Sequence, residues 1–543
     1  MWTIRQLREG TSTKRFANFS AIIMPSREDP KHQARPCLQR FPGDDALYWL
    51  FFSMLLGISC LPVWLYRYPP LWDYPNHLAR VYILHNYNAI EAFQRVFYVS
   101  AVPIPNLAVD LFFLVALRFV NIYLASKLFL TLAIVLFFVG CHLLGRALAQ
   151  GRVNWMTLPC SSLVYNSMFL WGFVNYIVGL GLFLVSLAIW LNASRNWTIV
   201  SLSIVSTLVS LSYLAHLSAF VFFVVTVVVL SLRDIVRTRR VGLRTLVGLI
   251  PMLPALLALH LFAQKGGDIG AGTWPGLRGF AFEKLQAALT VVTSYDYRFD
   301  GLVLTVLLGT AFVVWIAKGT RVRVQSPVFL SGVILIILFL LSPRALLTGS
   351  SVDGRFVPPA VLLLLLSLRF DTVKLLGKLA FVLCVLVMFT RIIFIGNEWR
   401  MIQPMTEANV RMFEHFRHES LVFPIVPFRE AGGPKIMRAA LHNLLSYAVI
   451  QRHIIVPNEY AVRSQHPLVY RPSEFRRSYY EDVREVGDID WTGVFAHYSY
   501  VWSCNVPETL NSYLLEHAEL IDRIKPCAVF RIPARSQTAS HVP

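Results

Sequence analysis

The chain has 543 residues, 56% of them hydrophobic and 15% charged, with a formal net charge of +19 and a mean hydropathy of +0.55. This composition excludes an ordinary water-soluble globular protein. The positive charge does not point to nucleic acid, because Lys and Arg gather beside apolar segments, where anionic lipid heads and the positive-inside bias account for them.

Residues 1–45 carry Arg5, Arg8, Lys14, Arg15, Arg27, Lys31, Arg35 and Arg40 ahead of the first apolar run at 46–66. The N-terminus is therefore predicted to be cytoplasmic and the tail disordered. The run starts too late and is too long for a cleaved signal peptide, and reads as the first span. A long external loop is predicted over 67–123. Within it, Leu78, Val81, Tyr82, Ala89, Phe93 and Phe97 recur at helical spacing over 76–98. NLAVDLFFLVALRFV at 106–120 is apolar but holds Asp110 and Arg118. Both segments read as helices lying in the membrane interface.

Further spans are predicted at 124–145, 155–172, 175–192, 197–213, 216–232, 245–263, 301–317, 327–342, 356–370 and 374–396. Their parity is set by RDIVRTRRVGLR at 233–244, KGTRVR at 318–323 and the stretch with Arg369, Lys374 and Lys378, all expected to be cytoplasmic. The two-residue alternation of a bilayer barrel does not occur over long stretches. Residues 397–543 then form an extracytoplasmic domain, with strands at 494–503 and 527–532, a helix from Pro507 to Arg523 and a further candidate strand at 453–461. Cys60, Cys141, Cys160 and Cys384 lie in spans as small hydrophobes; Cys504 and Cys527 are either a disulfide or two free thiols. The fold class is a polytopic α-helical membrane protein with about 11 spanning helices, interfacial helices in the first external loop and a small C-terminal α/β domain. Its parts are a tail (1–45), a membrane domain (46–396) and an outer domain (397–543), placed in the cell inner (plasma) membrane.

The most informative polar segment is PPLWDYPNHLAR at 69–80, which groups Asp73, Asn76, His77 and Arg80. Pro75 suits a first helical turn and leaves Asp73 at the positive end of the helix. A carboxylate there can take a proton from a hydroxyl, or bind a divalent cation together with His77, while His77 and Arg80 face a phosphate. An Asp before Pro is equally an ordinary helix cap, and an Arg at the boundary equally contacts lipid heads. Asn166, Asn175, His216, Asp296, Asp300, Asp353 and Arg355 reach the same side, where ionisable groups are costly unless they pair or line a wet cavity. Each has a plainer reading. Asn166 and Asn175 bond neighbouring helices, with Gly172, Gly179 and Gly181 for close packing, and His216 is a satisfied bundle residue. Asp296, Asp300 and Asp353 sit in turns, and Arg355 snorkels to the interface.

Together with the inside N-terminus, WDYPNHLAR, the loop helices, the segment LAVDLFFLVALRFVNIYLASKLFLTLAIVLFFVGCHLLGRAL and the late RFVPP give a chain that resembles the C-type (GT-C) membrane glycosyltransferases. The likeness is to the aminoarabinose transferase and protein O-mannosyltransferase group and covers about residues 46–396. It implies transfer of a sugar from a polyprenyl-phosphate carrier to an envelope glycan, lipid or protein acceptor on the outer face. Asp73 would then be the general base or metal-linked carboxylate, and Arg355 would contact the carrier phosphate. Asn76, His77, Arg80, Asn175, His216 and Asp353 complete the expected substrate-binding set, and a divalent cation is a candidate cofactor. Two departures stand out: many relatives pair acids in the loop, where Tyr74 follows Asp73 here, and Asn175 replaces a second acid. The alternatives are a transporter or flippase of a lipid-linked or small solute, and a non-catalytic assembly protein that keeps the fold.

Overall fold

The computed structural model describes residues 43–100, 104–264, 280–316, 321–346, 350–371, 375–427, 435–462, 465–473, 475–476, 483 and 485–533. The tail expected at 1–45 lies outside them up to residue 42. The chain divides into two units, residues 1–51 and 52–543; the described part of the first is the opening of the helix Gly43–Leu65.

The protein is a polytopic helical bundle. Among the described residues, six helices are long and apolar enough to cross a bilayer: Asp45–Leu65, Ile122–Leu148, Val174–Ala193, Leu217–Thr238, Leu243–Gln264 and Leu379–His415. Shorter apolar helices, Ile199–Ala215, Pro327–Leu341 and Gly354–Leu366, occupy other expected positions. A helix satisfies its backbone groups within itself, which is why these runs stay helical in lipid. Ile122–Leu148 and Val174–Ala193 approach closely at two glycines. A Cβ on Gly140 would stand 2.9 Å from the Gly181 carbonyl oxygen, and one on Gly181 would stand 2.9 Å from the Leu136 side chain.

The span expected at 155–172 is corrected. It is broken into Thr157–Ser162, Leu163–Tyr165 and Ser167–Leu170. Asn166 leaves the helical region, and its Oδ1 accepts from the amides of Met168 (2.9 Å) and Phe169 (3.2 Å), starting a new short helix. Arg391 donates to the Tyr165 carbonyl at 2.6 Å. The break is thus supported from a distant helix, which the local apolar pattern does not reveal.

The single loop helix expected at 76–98 is also corrected, to Tyr74–Asn86, Glu91–Val96 and a strand β1 (Phe97–Val99). The second loop helix stands at Ala108–Ala116, within the expected 106–120. Strands β2 (Arg321–Val324) and β3 (Leu368–Asp371) pair antiparallel, setting side by side two basic connections expected on one face.

The helix Leu375–Arg411 runs unbroken past residue 397 into the C-terminal domain. There β4 (Val422–Ile425), β6 (Tyr500–Cys504), β8 (Cys527–Arg531) and β7 (Glu519–Ile524) form one sheet in the order β4-β6-β8-β7. Only β4 and β6 are parallel. Phe413 and Phe416, just beyond the long helix, meet Trp502 and Tyr500 on the sheet with ring centroids 5.1 Å and 5.3 Å apart. β5 (Leu468–Tyr470) pairs instead with β1, Phe97 opposite Tyr470, and stitches the loop after the first span to this domain.

Three local expectations change here. In 494–503 the strand begins only at Tyr500, because Asp490 caps a helix Trp491–His497 through the Gly493 amide (3.0 Å). The helix from Pro507 is confined to Glu508–His517, and the remainder becomes β7, paired with β8. Segment 453–461 contributes a single bridge, Ile455 to Leu421, rather than a strand. Cys504 and Cys527, opposite each other on β6 and β8, are disulfide-bonded.

Candidate functional site

The site begins where the first loop helix starts. Pro75 sits in the first turn, but the Asp73 side chain makes no capping hydrogen bond. Its position is instead imposed through the backbone: the amides of Trp72 and Asp73 donate to the carbonyls of Leu170 (3.2 Å) and Trp171 (2.9 Å). The next residue must be glycine. Gly172 has φ +84°, and a Cβ there would stand 2.7 Å from the Tyr74 nitrogen and 2.8 Å from the Asp73 nitrogen.

The same stretch of chain holds Arg355. Its guanidinium lies over the Phe173 ring at 5.2 Å, and Tyr176 donates from its hydroxyl to the Arg355 carbonyl at 2.8 Å. Arg355 is within electrostatic reach of both Tyr176 and Asp73, and its Nε has no hydrogen-bond partner among the described residues. His216 lies beside it, edge-on to Tyr176 at 5.5 Å, with Nδ1 accepting from the Ser218 amide at 3.2 Å. Residues 170–176 therefore bring Asp73 and Arg355, far apart in sequence, to one place.

Of the expected site residues, Asp73 and Arg355 remain partly open to solvent, whereas Asn76, His77, Arg80, Asn175, His216 and Asp353 are buried. The buried ones have partners inside the protein. Arg80 is forked onto Asp110, Nε and Nη2 each 2.9 Å from one carboxylate oxygen, and its Nη1 lies 3.0 Å from His77 Nδ1. Asn175 accepts from the Val109 amide and donates to the Asn106 carbonyl, both at 2.8 Å, so it anchors the second loop helix. Asp353 accepts from Lys284 Nζ at 2.8 Å and from the Gly354 amide at 2.9 Å. Asp296 accepts from the amides of Arg298 and Phe299 in an exposed turn, and Asp300 accepts from Ser294.

The C-terminal domain contributes residues that no local signal marked. Asn443 Nδ2 donates to the Trp72 carbonyl (3.0 Å) and lies 3.5 Å from Asp73 Oδ1. Behind it stand Ser446, Glu459, Tyr460 and His466, close to Asn76, His77 and Arg80. Burial and the Arg80 charge hold His77 and His466 well below the usual imidazole value, so both are neutral. Burial pushes Glu459 up to about 8. His442, ring to ring with Trp72 at 4.8 Å, is brought down to about 4 by burial.

These residues do not suit a divalent cation. Asp73 is within electrostatic reach of the Arg355 guanidinium, the buried His77 presents Nδ1 to Arg80, and among the described residues no group of three or more His, Cys, Asp or Glu is placed to hold a metal. What the arrangement offers is one half-buried carboxylate within electrostatic reach of one half-buried arginine.

No family model matches the chain, and no curated protein matches it. Its fold is similar to that of ArnT from Cupriavidus metallidurans, in the crystal structure bound to undecaprenyl phosphate (TM-score 0.53, 11% identity, 91% of this chain and 99% of that one). The apo-state crystal structure of the same protein gives a TM-score of 0.50 at 11% identity, with the same coverage. At this identity the likeness is one of fold. It agrees with the polytopic architecture expected from the sequence.

Proposed function

We propose that the protein is a membrane glycosyltransferase that moves a sugar from a polyprenyl-phosphate carrier to a hydroxyl of an envelope glycan, lipid or protein on the outer face of the inner membrane. The observation that carries this reading is the half-buried Asp73 within electrostatic reach of the half-buried Arg355, in a fold similar to one crystallised with undecaprenyl phosphate. The Cys504–Cys527 disulfide supports an oxidising, extracytoplasmic location for the outer domain.

In this reading the carrier tail stays in lipid and its phosphosugar rests above the bundle. Asp73 takes the proton of the acceptor hydroxyl as that oxygen bonds to the anomeric carbon. The bond from that carbon to the phosphate oxygen breaks, and the electron pair leaves with the lipid phosphate, whose charge Arg355 balances. Attack opposite the leaving phosphate inverts the anomeric centre. No step is routed through a metal.

The test uses purified full-length protein in vesicles supplied with labelled polyprenyl-phosphate sugars and an envelope extract as acceptor. D73N is expected to lower transfer by about 100-fold or more, and R355A to weaken carrier binding. Transfer that persists in D73N removes the role assigned to Asp73. Carrier movement across the bilayer without sugar transfer would identify a flippase instead.

A further inference from the structure

We propose that Asn443, carried by the outer domain, is the positioning residue of Asp73, and that Glu459 sets it through a one-way chain of hydrogen bonds running Ser446, Asn76, Asn443. This inference rests on the role of Asp73 proposed above.

The chain of donors is directional at every link. Ser446 Oγ donates to Asn76 Oδ1 at 2.8 Å, which turns the Asn76 amide nitrogen toward Asn443 Oδ1, 2.9 Å away. That contact in turn leaves Asn443 Nδ2 facing the Trp72 carbonyl at 3.0 Å and Asp73 Oδ1 at 3.5 Å. Asn76, Asn443 and Ser446 are 1%, 3% and 1% exposed, so water does not compete for these groups. An amide held in one orientation keeps a donor on the carboxylate and fixes which oxygen meets the acceptor.

Glu459 is the far end. It is 4% exposed, lies beside Ser446, and neither carboxyl oxygen has a well-formed hydrogen bond among the described residues. The groups facing it are Arg80, whose charge is matched by Asp110, and Tyr470, whose hydroxyl accepts from the Glu459 amide at 3.0 Å and donates to the Val456 carbonyl at 2.6 Å. Arg476 lies over the Tyr470 ring, and His77 and His466 share the Arg80 charge. As a neutral acid, Glu459 can donate to the Ser446 oxygen and leave the serine proton on Asn76. Once ionised it only accepts, draws that proton to itself, and removes one of the contacts that orient Asn76, leaving the Asn458 carbonyl, which accepts from Asn76 Nδ2 at 3.2 Å. The chain is then held only by the Asn458 and Trp72 carbonyls, and the Asn443 amide is less firmly fixed on Asp73.

The experiment measures transfer by the full chain in vesicles from pH 6 to 9, with folding checked by thermal unfolding. N443A is expected to lower kcat about 10- to 100-fold with KM for the carrier unchanged, and E459Q to match wild type at pH 6 and lose its decline near pH 8. S446A removes only a hydroxyl and gives the same readout if N443A does not fold. Wild-type kcat in the folded N443A or S446A protein, or an alkaline limb in E459Q that superimposes on wild type, overturns the inference while leaving the transferase reading intact. Absence of transfer by the wild-type chain overturns both.

Discussion

Arg80 and Asp110 form a two-pronged ion pair between the helices Tyr74–Asn86 and Ala108–Ala116, with both N···O distances at 2.9 Å and the arginine side chain fully buried. The guanidinium is thereby committed to holding the loop together. A buried pair broken on one side leaves an uncompensated charge, which typically costs about 3–5 kcal/mol. R80M is expected to lower the unfolding temperature sharply, and R80M/D110L to regain much of the loss. Equal unfolding temperatures for R80M and wild type would refute the structural role.

Asn175 stands where the sequence resemblance implies a second acid, yet both ends of its amide are used. N175D keeps the acceptor for the Val109 amide but sets an oxygen against the Asn106 carbonyl. The expected cost is about 1–3 kcal/mol, with no divalent-cation dependence gained. Metal titration of N175D in the transfer assay, alongside its unfolding curve, checks both halves.

Stability should peak near neutral pH. His77 and His466 are held well below 6.5 and His442 at about 4, so as pH falls below 6.5 the unfolded chain binds protons that the folded chain refuses, and stability drops. Glu459 acts oppositely: raised from 4.5 to about 8, it retains a proton in the folded state that the unfolded chain has lost, so stability falls as pH rises between those values. Below 6.5 the three imidazoles outweigh the one carboxyl. Between 6.5 and 8 only the carboxyl slope remains among these four groups. Unfolding temperatures across pH 5 to 9 should show the maximum, and E459Q should flatten its alkaline side.

The Cys504–Cys527 bond closes a loop with a sequence separation of 23. By the chain-entropy account such a bond contributes about 3 kcal/mol. C504S/C527S is expected to lose stability of that order, and in the wild-type protein neither thiol should react with maleimide before reduction. Labelling of either cysteine in unreduced protein contradicts the bond.

Much of the architecture was legible in the residues themselves. Apolar runs of bilayer length must be helical because lipid offers no hydrogen-bond partner, and the helix within 106–120 was legible in its apolar run. The PPLWDYPNHLAR segment announced a helix start at Pro75 and an acid before it. Where the outcome depended on a remote partner, the local pattern misled. Asn166 breaks an apolar run whose freed Tyr165 carbonyl accepts from Arg391, and β1 departs from helical periodicity to pair with β5. The tertiary structure alone decided which polar residues are accessible and which are braces, since Arg80 and Asn175 look like ligands until Asp110 and the Asn106 carbonyl claim them. It also brought Asn443 and Glu459 to the loop from the far end of the chain. Periodicity records a residue's own helix or strand, whereas burial and pairing are properties of the assembled neighbourhood.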